Sequence, residues 1–390
     1  MSIYDESLKK HYEWKGKYEV KTRVEVDTKE KLMLAYTPGV AQPCLEIQKN
    51  PEASFMLTRR WNTVAVITDG TAILGLGDIG PEAGMPVMEG KAALFKAFGD
   101  IDAIPLCLKT KDPDEIVKTI SYLSGSFGGI NLEDISAPRC FEIEKRLKEL
   151  CDIPVFHDDQ HGTAIIVGAA TLNALKIVKK DINKIKCVIN GAGAAGISIA
   201  KFLMKLGVQN LILCDREGII CEGMNNLNIA QAEMAMITNR EHLKGLLKDA
   251  LVGADIFVGV SAPRLVTSAM ISTMNRDAIV FPLANPIPEI TREEALKGGA
   301  RIVGTGSSAN PNQINNVLVF PGIFRGALDA KATDINDAMM IAAAYAIAGT
   351  IKEVDLNENN IVPYAFDKKT HQAVAEAVKL SAIHSGCIRK

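Results

Sequence analysis

Apolar residues along this chain come in short blocks whose periodicity alternates between two and nearly four. "TVAVITDG" (Thr63–Gly70) is a β-branched, apolar run that stops on an Asp-Gly turn, the pattern of a buried strand. "DAIPLCL" (Asp102–Leu108) is another such run, and "MEGKAALFKAFG" (Met88–Gly99) between them has the spacing of a short amphipathic helix ending on a glycine cap. "DPDEIVKTISYLSGSFGGINLEDI" predicts a helix, a glycine-rich turn and a strand stopping on Glu133-Asp134. "PRCFEIEKRLKELC" predicts a helix, and "IPVFHDDQHGTA" a strand running into a polar turn. Residues 1 to 60 read as polar helices broken near Pro38-Gly39 and Pro43. Strands alternating with helices imply a parallel sheet covered by helices.

A second unit starts with the helix "TAIIVGAATLNALKIV". "KIKCVINGAGAAGISIAKFLMKLGVQNLILCDREG" then reads as strand, glycine turn, helix and strand. Further strands are expected at "ADIFVGVS", "AIVFPLANP" and "RIVGTG", before the apolar helix "INDAMMIAAAYAIAGTI" and a polar tail. The expected fold is α/β in two domains. An N-terminal α/β domain with a parallel sheet takes 1–162. A Rossmann-type doubly wound dinucleotide-binding domain takes 163–333. C-terminal helices over 334–390 return to the first domain.

With 390 residues, two full cores are affordable. The net charge of −2 gives no electrostatic case for nucleic acid or an anionic membrane. No run reaches the roughly 18 apolar residues of a membrane helix. The polar N-terminus shows no targeting signal, and eight scattered cysteines without C-x-x-C read as reduced thiols, so a cytoplasmic protein is expected.

Two segments carry G-x-G-x-x-G: Gly75, Gly77 and Gly80, and Gly191, Gly193 and Gly196. Context separates them, because the spacing alone is weak. The second follows the strand "KCVIN" and opens a helix. Gly191 permits the turn, Gly193 lets pyrophosphate approach and Gly196 allows close packing, with Ala192, Ala194 and Ala195 between them. Asp215 ends the next strand, placed to accept from ribose hydroxyls. No helix is expected directly after the first motif, since "PEAGMP" holds two prolines. It reads as a strand-end loop with room for a small ligand or a neighbouring backbone.

Glu133, Asp134 and Asp159, with Asp158 beside the last, fall at or beyond strand ends, which converge on one sheet edge. Gathered carboxylates repel unless protonated or bridged by a cation, and oxygen ligation suits Mg²⁺ or Mn²⁺. Helix-capping acids are the bland alternative. His157 and His161 have the i, i+4 spacing of a zinc pair, but the preceding strand and the lack of a third soft ligand favour solvated or supporting histidines. Lys91 follows Gly90 in the expected first helical turn, where the helix dipole would lower its pKa as a general base needs. A surface lysine is the alternative. The Tyr36 phenol can give a proton or simply pack before the Pro-Gly turn.

Taken together, "YTPGVA", "ITDGTAILGLGDIG", "EGKAALFK", "NLEDI", "HDDQHGTA", "GAGAAG" and "NNVLVFPG" resemble the malic enzymes in order and over most of the chain. The length resembles the compact bacterial type. The resemblance implies Tyr36, Lys91 and Asp158 as catalytic residues and Glu133, Asp134 and Asp159 as ligands of Mg²⁺ or Mn²⁺. It implies Asn285 and Asn316 at cofactor or substrate, with Asn315 a neighbour. It implies L-malate oxidised and decarboxylated to pyruvate and CO₂, with NAD, or NADP, reduced. NAD is expected because Asp215 repels a 2′-phosphate, although Arg216 follows it. Longer members carry an arginine for the substrate carboxylate where this chain has Ala72. Malolactic chemistry, a metal-independent amino-acid dehydrogenase and a non-catalytic nucleotide sensor are the competing readings. A homodimer through the polar tail after Gly349 and the N-terminal helices is expected on fold analogy.

Overall fold

The computed structural model describes residues 2–389. Its first sheet is wholly parallel, with strands β1 (Thr63–Thr68), β2 (Asp102–Cys107), β3 (Gly129–Leu132) and β4 (Val155–His157) in the order β2-β1-β3-β4. Every β1 residue after Thr63 is buried, as a strand covered on both faces requires. The chain leaves β1 for β2 on one side and returns to β3 on the other. That reversal opens a crevice at the carboxyl ends of β1 and β3.

The second sheet runs β10-β9-β8-β5-β6-β7. Its strands are β5 (Lys186–Asn190), β6 (Asn210–Asp215), β7 (Gly218–Ile219), β8 (Ile256–Gly259), β9 (Ala278–Pro282) and β10 (Ala300–Val303), all parallel except β7. Here the order reverses between β5 and β8, so the loop after β5 opens at the switch point.

In the first half, α1 (Ile3–Trp14), α2 (Lys29–Ala35) and α3 (Ala41–Lys49) form an N-terminal arm. The sheet carries α4 (Pro81–Gly99), α5 (Pro113–Leu123) and α6 (Arg139–Leu150). Later come α7 (Thr163–Val178), α8 (Ala194–Leu206), α9 (Phe320–Asp329), α10 (Asp337–Gly349) and α11 (Lys368–His384). Helix α9 packs on α4 and α11, and Phe95 of α4 meets Phe320 and Phe324 edge-on at 4.8 and 5.4 Å. One apolar core runs from Phe95 and Phe156 through α7 to Ile197 and Phe281, so the two sheets share their interior.

Three expectations need correction. The helix expected from Met88 begins at Pro81, directly behind Gly80. Pro81 takes the first helical position, where its missing N–H costs nothing, and Pro86 forfeits a single backbone bond. Pro43 likewise does not break the arm but lies inside α3, near its start. Finally, the helical stretch Asp158–Val178 is long and apolar enough by composition to cross a membrane. It is 72% buried within the protein and serves as its central helix.

Candidate active site

Each acid of the first domain reaches the crevice by its position after a strand. Glu133 and Asp134 follow β3, with Asp134 held at φ 54°, where its backbone N–H donates to Asp159 Oδ2 at 2.8 Å. Asp158 and Asp159 open a wide five-residue turn, Asp158–Gly162, between β4 and α7. Such π-type turns recur at functional sites. A Cβ at Gly162 would collide with Asp158 Oδ1, which explains the glycine. Carboxylate oxygens of Glu133, Asp134 and Asp159 lie within 4.8 Å of one another. Among the described residues this is the one group of three acids, histidines or cysteines whose ligand atoms converge so closely. Burial pushes the Glu133 and Asp159 carboxyls up, and neighbouring acids add to it while Lys91 opposes. The donor set is all oxygen, anionic and crowded, which fits a hard divalent cation.

Lys91 joins this cluster from α4. Its Nζ lies 2.5 Å from Asp158 Oδ2 and 2.8 Å from Glu133 Oε1, and 4.0 Å over the Phe320 ring. The expected first-turn placement and lowered pKa are both wrong. Because the helix starts at Pro81, Lys91 is its eleventh residue and is buried. Burial alone pulls its pKa down, but Asp158 and Glu133 more than reverse this and hold it above the ordinary lysine range. Asp158 is fully buried, and burial lifts its carboxyl to about 7 against the pull of Lys91. Asn316 Nδ2 also donates to Asp158 Oδ2, at 2.5 Å. Asn315 is a cap, its Oδ1 accepting from Val317 N.

The histidines do not form a pair. His157 is buried rather than solvated, and burial lowers its pKa to about 4. His161 Nε2 bridges both oxygens of Glu144, at 2.8 and 2.9 Å, and Glu144 also accepts from the His157 backbone N–H. Burial raises the Glu144 carboxyl, but His161 outweighs it and brings the pKa to about 2. Glu144 therefore anchors the turn that carries Asp158 and Asp159 from below.

Tyr36 is not brought to the cluster. It caps α2 on the arm, is 66% exposed, and among the described residues no hydrogen bond joins its phenol to Lys91. Three contributors went unread in the sequence. Asn131 Nδ2 donates to Glu133 Oε2 at 2.8 Å, a buried amide inside a strand run. Phe320 lies in a motif whose ring had no assigned place. Arg139 sits beside the Asp-Gly turn after β1, on Asp69 at 2.9 Å and on the Thr71 and Ser136 hydroxyls. A guanidinium thus stands next to Ala72, whose N–H donates to Asp134 O.

In the second domain three residues, Gly191 to Gly193, separate β5 from α8. Gly191 has φ 119°, and a Cβ there would come within 2.5 Å of Val260 O. A Cβ at Gly196 would strike the Gly191 carbonyl, whereas Gly193 faces open space. Ala194 and Ala195 begin α8, whose N-terminal N–H groups open at the switch point, and Ala192 is buried in the turn. Asp215 ends β6 and accepts from Glu217 N. The other motif does precede a helix, contrary to expectation, but twelve residues part β1 from α4. Its Gly75 abuts the second domain instead: a Cβ there would come within 2.5 Å of Asn285 O, in the loop after β9.

A switch-point glycine turn in one domain and a lysine–carboxylate cluster at the sheet edge of the other fit a dinucleotide-dependent oxidoreductase. Comparison with known proteins narrows this. The family model "Malic enzyme, N-terminal domain" matches residues 15–148, and "Malic enzyme, NAD binding domain" matches 160–383. The chain is 52% identical to the bifunctional malic/malolactic enzyme of Bacillus subtilis, over all of this chain and 95% of that one. It is 54% identical to the NAD-dependent malic enzyme of Geobacillus stearothermophilus, over 96% of this chain and 78% of that one. Among solved structures, the NAD-dependent malic enzyme of Thermotoga maritima superposes with a TM-score of 0.93 at 50% identity, covering 96% and 98% of the two chains. The chain belongs to the malic enzyme family, whose members oxidatively decarboxylate malate with NAD(P).

Proposed function

We propose that this chain converts L-malate to pyruvate and CO₂ with NAD⁺ as the hydride acceptor, and that Glu133, Asp134 and Asp159 hold the Mg²⁺ or Mn²⁺ it needs. The observation that carries this is Lys91 Nζ standing 2.5 Å from Asp158 and 2.8 Å from Glu133, at the edge of three converging carboxylates. A divalent cation held by Glu133, Asp134 and Asp159 would supply Lewis acidity toward the substrate's C2 oxygen. Lys91, in its neutral form, takes the C2 hydroxyl proton, and Asp158, 2.5 Å from its Nζ, is placed to exchange protons with it. Asn316 keeps Asp158 oriented, and Asn285 presents its amide to substrate and cofactor. After CO₂ leaves, the proton given to C3 of the enolate is assigned to Tyr36, a role that requires the arm to carry its phenol to the cluster.

Asp215 favours NAD over NADP, because its carboxylate opposes a 2′-phosphate. Residues 1–162, 163–333 and 334–390 act as catalytic domain, cofactor domain and returning helices, in a cytoplasmic homodimer. The Bacillus relative favours a second reading, lactate from malate without net NADH, so products must be identified. The test of the acid set is Asp159→Ala with Mn²⁺. Wild type should gain thermal stability with Mn²⁺, as a native-state ligand requires, and the variant should lose both that gain and activity. Mn²⁺ stabilisation kept in the variant would refute the assignment.

A further inference from the structure

One buried acid lies outside this chemistry. Glu289 is fully buried, and among the described residues no lysine, arginine or histidine lies within ion-pair distance of it. Charge removed from water without a counter-ion persists only where hydrogen bonds replace the water. Glu289 has them. Its Oε1 accepts from Ser261 N at 2.8 Å and its Oε2 from Ala284 N at 3.1 Å, with Ser261 Oγ near Oε1 at 3.4 Å. Burial lifts the carboxyl, and these bonds pull it back.

The bonded partners share one place in the fold. Ser261 follows β8 and Ala284 follows β9, both at the carboxyl edge. Asn190, the last residue of β5 before the glycine turn, donates through Nδ2 to Ser261 Oγ at 2.7 Å. Ala284 precedes Asn285, on which Gly75 of the first domain abuts. Gly259 is glycine because a Cβ there would strike the Glu289 carboxyl carbon. The carboxylate thus joins the loops after β8 and β9 directly and, through Ser261 Oγ, the end of β5 that leads into the glycine turn.

We propose that Glu289 is the positioning residue of the cofactor edge, setting the spacing of the loops after β5, β8 and β9 that a bound dinucleotide contacts. This rests on the reading of Gly191–Gly196 as the dinucleotide site. A carboxylate is required because both anchors are N–H donors. A glutamine accepts one and turns its own N–H₂ against the other, leaving a buried donor without a partner.

The experiment is NADH fluorescence titration of the full-length protein without malate, with Mn²⁺ thermal stabilisation as the control site. For Glu289→Gln the NADH Kd should rise about tenfold or more, while the Mn²⁺ response stays as in wild type. Glu289→Asp, which keeps both acceptor oxygens, should recover most of the loss. Equal NADH affinity in wild type and folded Glu289→Gln would overturn the proposal. So would parallel loss of NADH and Mn²⁺ binding, which marks a merely structural role. Should Glu289→Gln fail to fold, Ser261→Ala removes only the hydroxyl that ties Asn190 to the carboxylate. Its NADH Kd should rise by about threefold or more with thermal stability unchanged, and an unchanged Kd would overturn the proposal. Wild type that binds neither NADH nor NADPH would sink the dinucleotide reading itself.

Discussion

Lys91 is held between Asp158 and Glu133 with its ammonium over the Phe320 ring, so its buried charge is matched by two buried carboxylates. Removing it leaves those acids to repel each other and takes away the group proposed above to take the substrate hydroxyl proton. Lys91→Ala should lower kcat by about 10²–10⁴, measured in the malate direction at saturating Mn²⁺. A loss below tenfold would remove Lys91 from the general-base role. The acids were legible in the sequence because parallel strands end on a common edge, and Glu133, Asp134 and Asp159 all sit just past strand ends. The environment of Lys91 was not. Reading Pro81 and Pro86 as breakers shortened its helix by two turns and put an interior residue at an end. The position of Asn131 was also hidden, since a strand interior gives no sign that an amide will face a carboxylate.

At the scale of elements, the two glycine motifs show what spacing alone leaves open. Both precede helices. Only Gly191–Gly196 joins strand to helix in three residues, which puts the helix N-terminus where a phosphate can use it. Gly75 owes its lack of a side chain to the Asn285 backbone of the other domain, a long-range contact that no local pattern encodes. A smaller joint is Asp255, before β8. It accepts from Lys180 Nζ beyond α7 and from Lys186 N at the start of β5, both at 2.8 Å, and from Asn275. Burial raises its carboxyl, but these bonds prevail and hold it below the ordinary 3.8. A depressed folded pKa contributes stability that is present above the unfolded value and lost as pH falls below it. Asp255→Asn should therefore lower Tm at pH 7 and make the fall of Tm between about pH 5 and pH 3 shallower. Parallel Tm profiles for the two proteins would show that the joint contributes nothing pH-dependent.

At the scale of the whole molecule, the N-terminal arm is the part least like a finished surface. Helices α1, α2 and α3 bury none of their residues. Tyr4, Tyr12, Val20 and Leu34 are among the large apolar groups left largely exposed there. The homodimer proposed above would cover these groups with a second copy of the chain. Light scattering should give twice the 42.1 kDa chain mass, and Leu34→Glu should shift it toward the monomer. On a monomer's surface that substitution would change stability by no more than about 0.5 kcal/mol. A monomeric wild type would remove the dimer. Tyr36 stands two residues further on, so its proposed role as proton donor requires the arm to bring its phenol to the cluster. The sequence marked the arm as polar helices and missed its apolar share, because scattered apolar residues without a core periodicity resemble solvated ones.

The central claim is that one site couples malate oxidation to decarboxylation through a cation held by Glu133, Asp134 and Asp159. The measurement that tests it most directly is NADH formation from L-malate, NAD⁺ and Mn²⁺ with and without a chelator, alongside NADP⁺ and with the carbon product identified. The account predicts NADH and pyruvate in equal amounts, abolished by the chelator, with higher kcat/KM for NAD⁺ than for NADP⁺. Turnover that persists without the cation, or lactate as the sole product with no NADH, would contradict it.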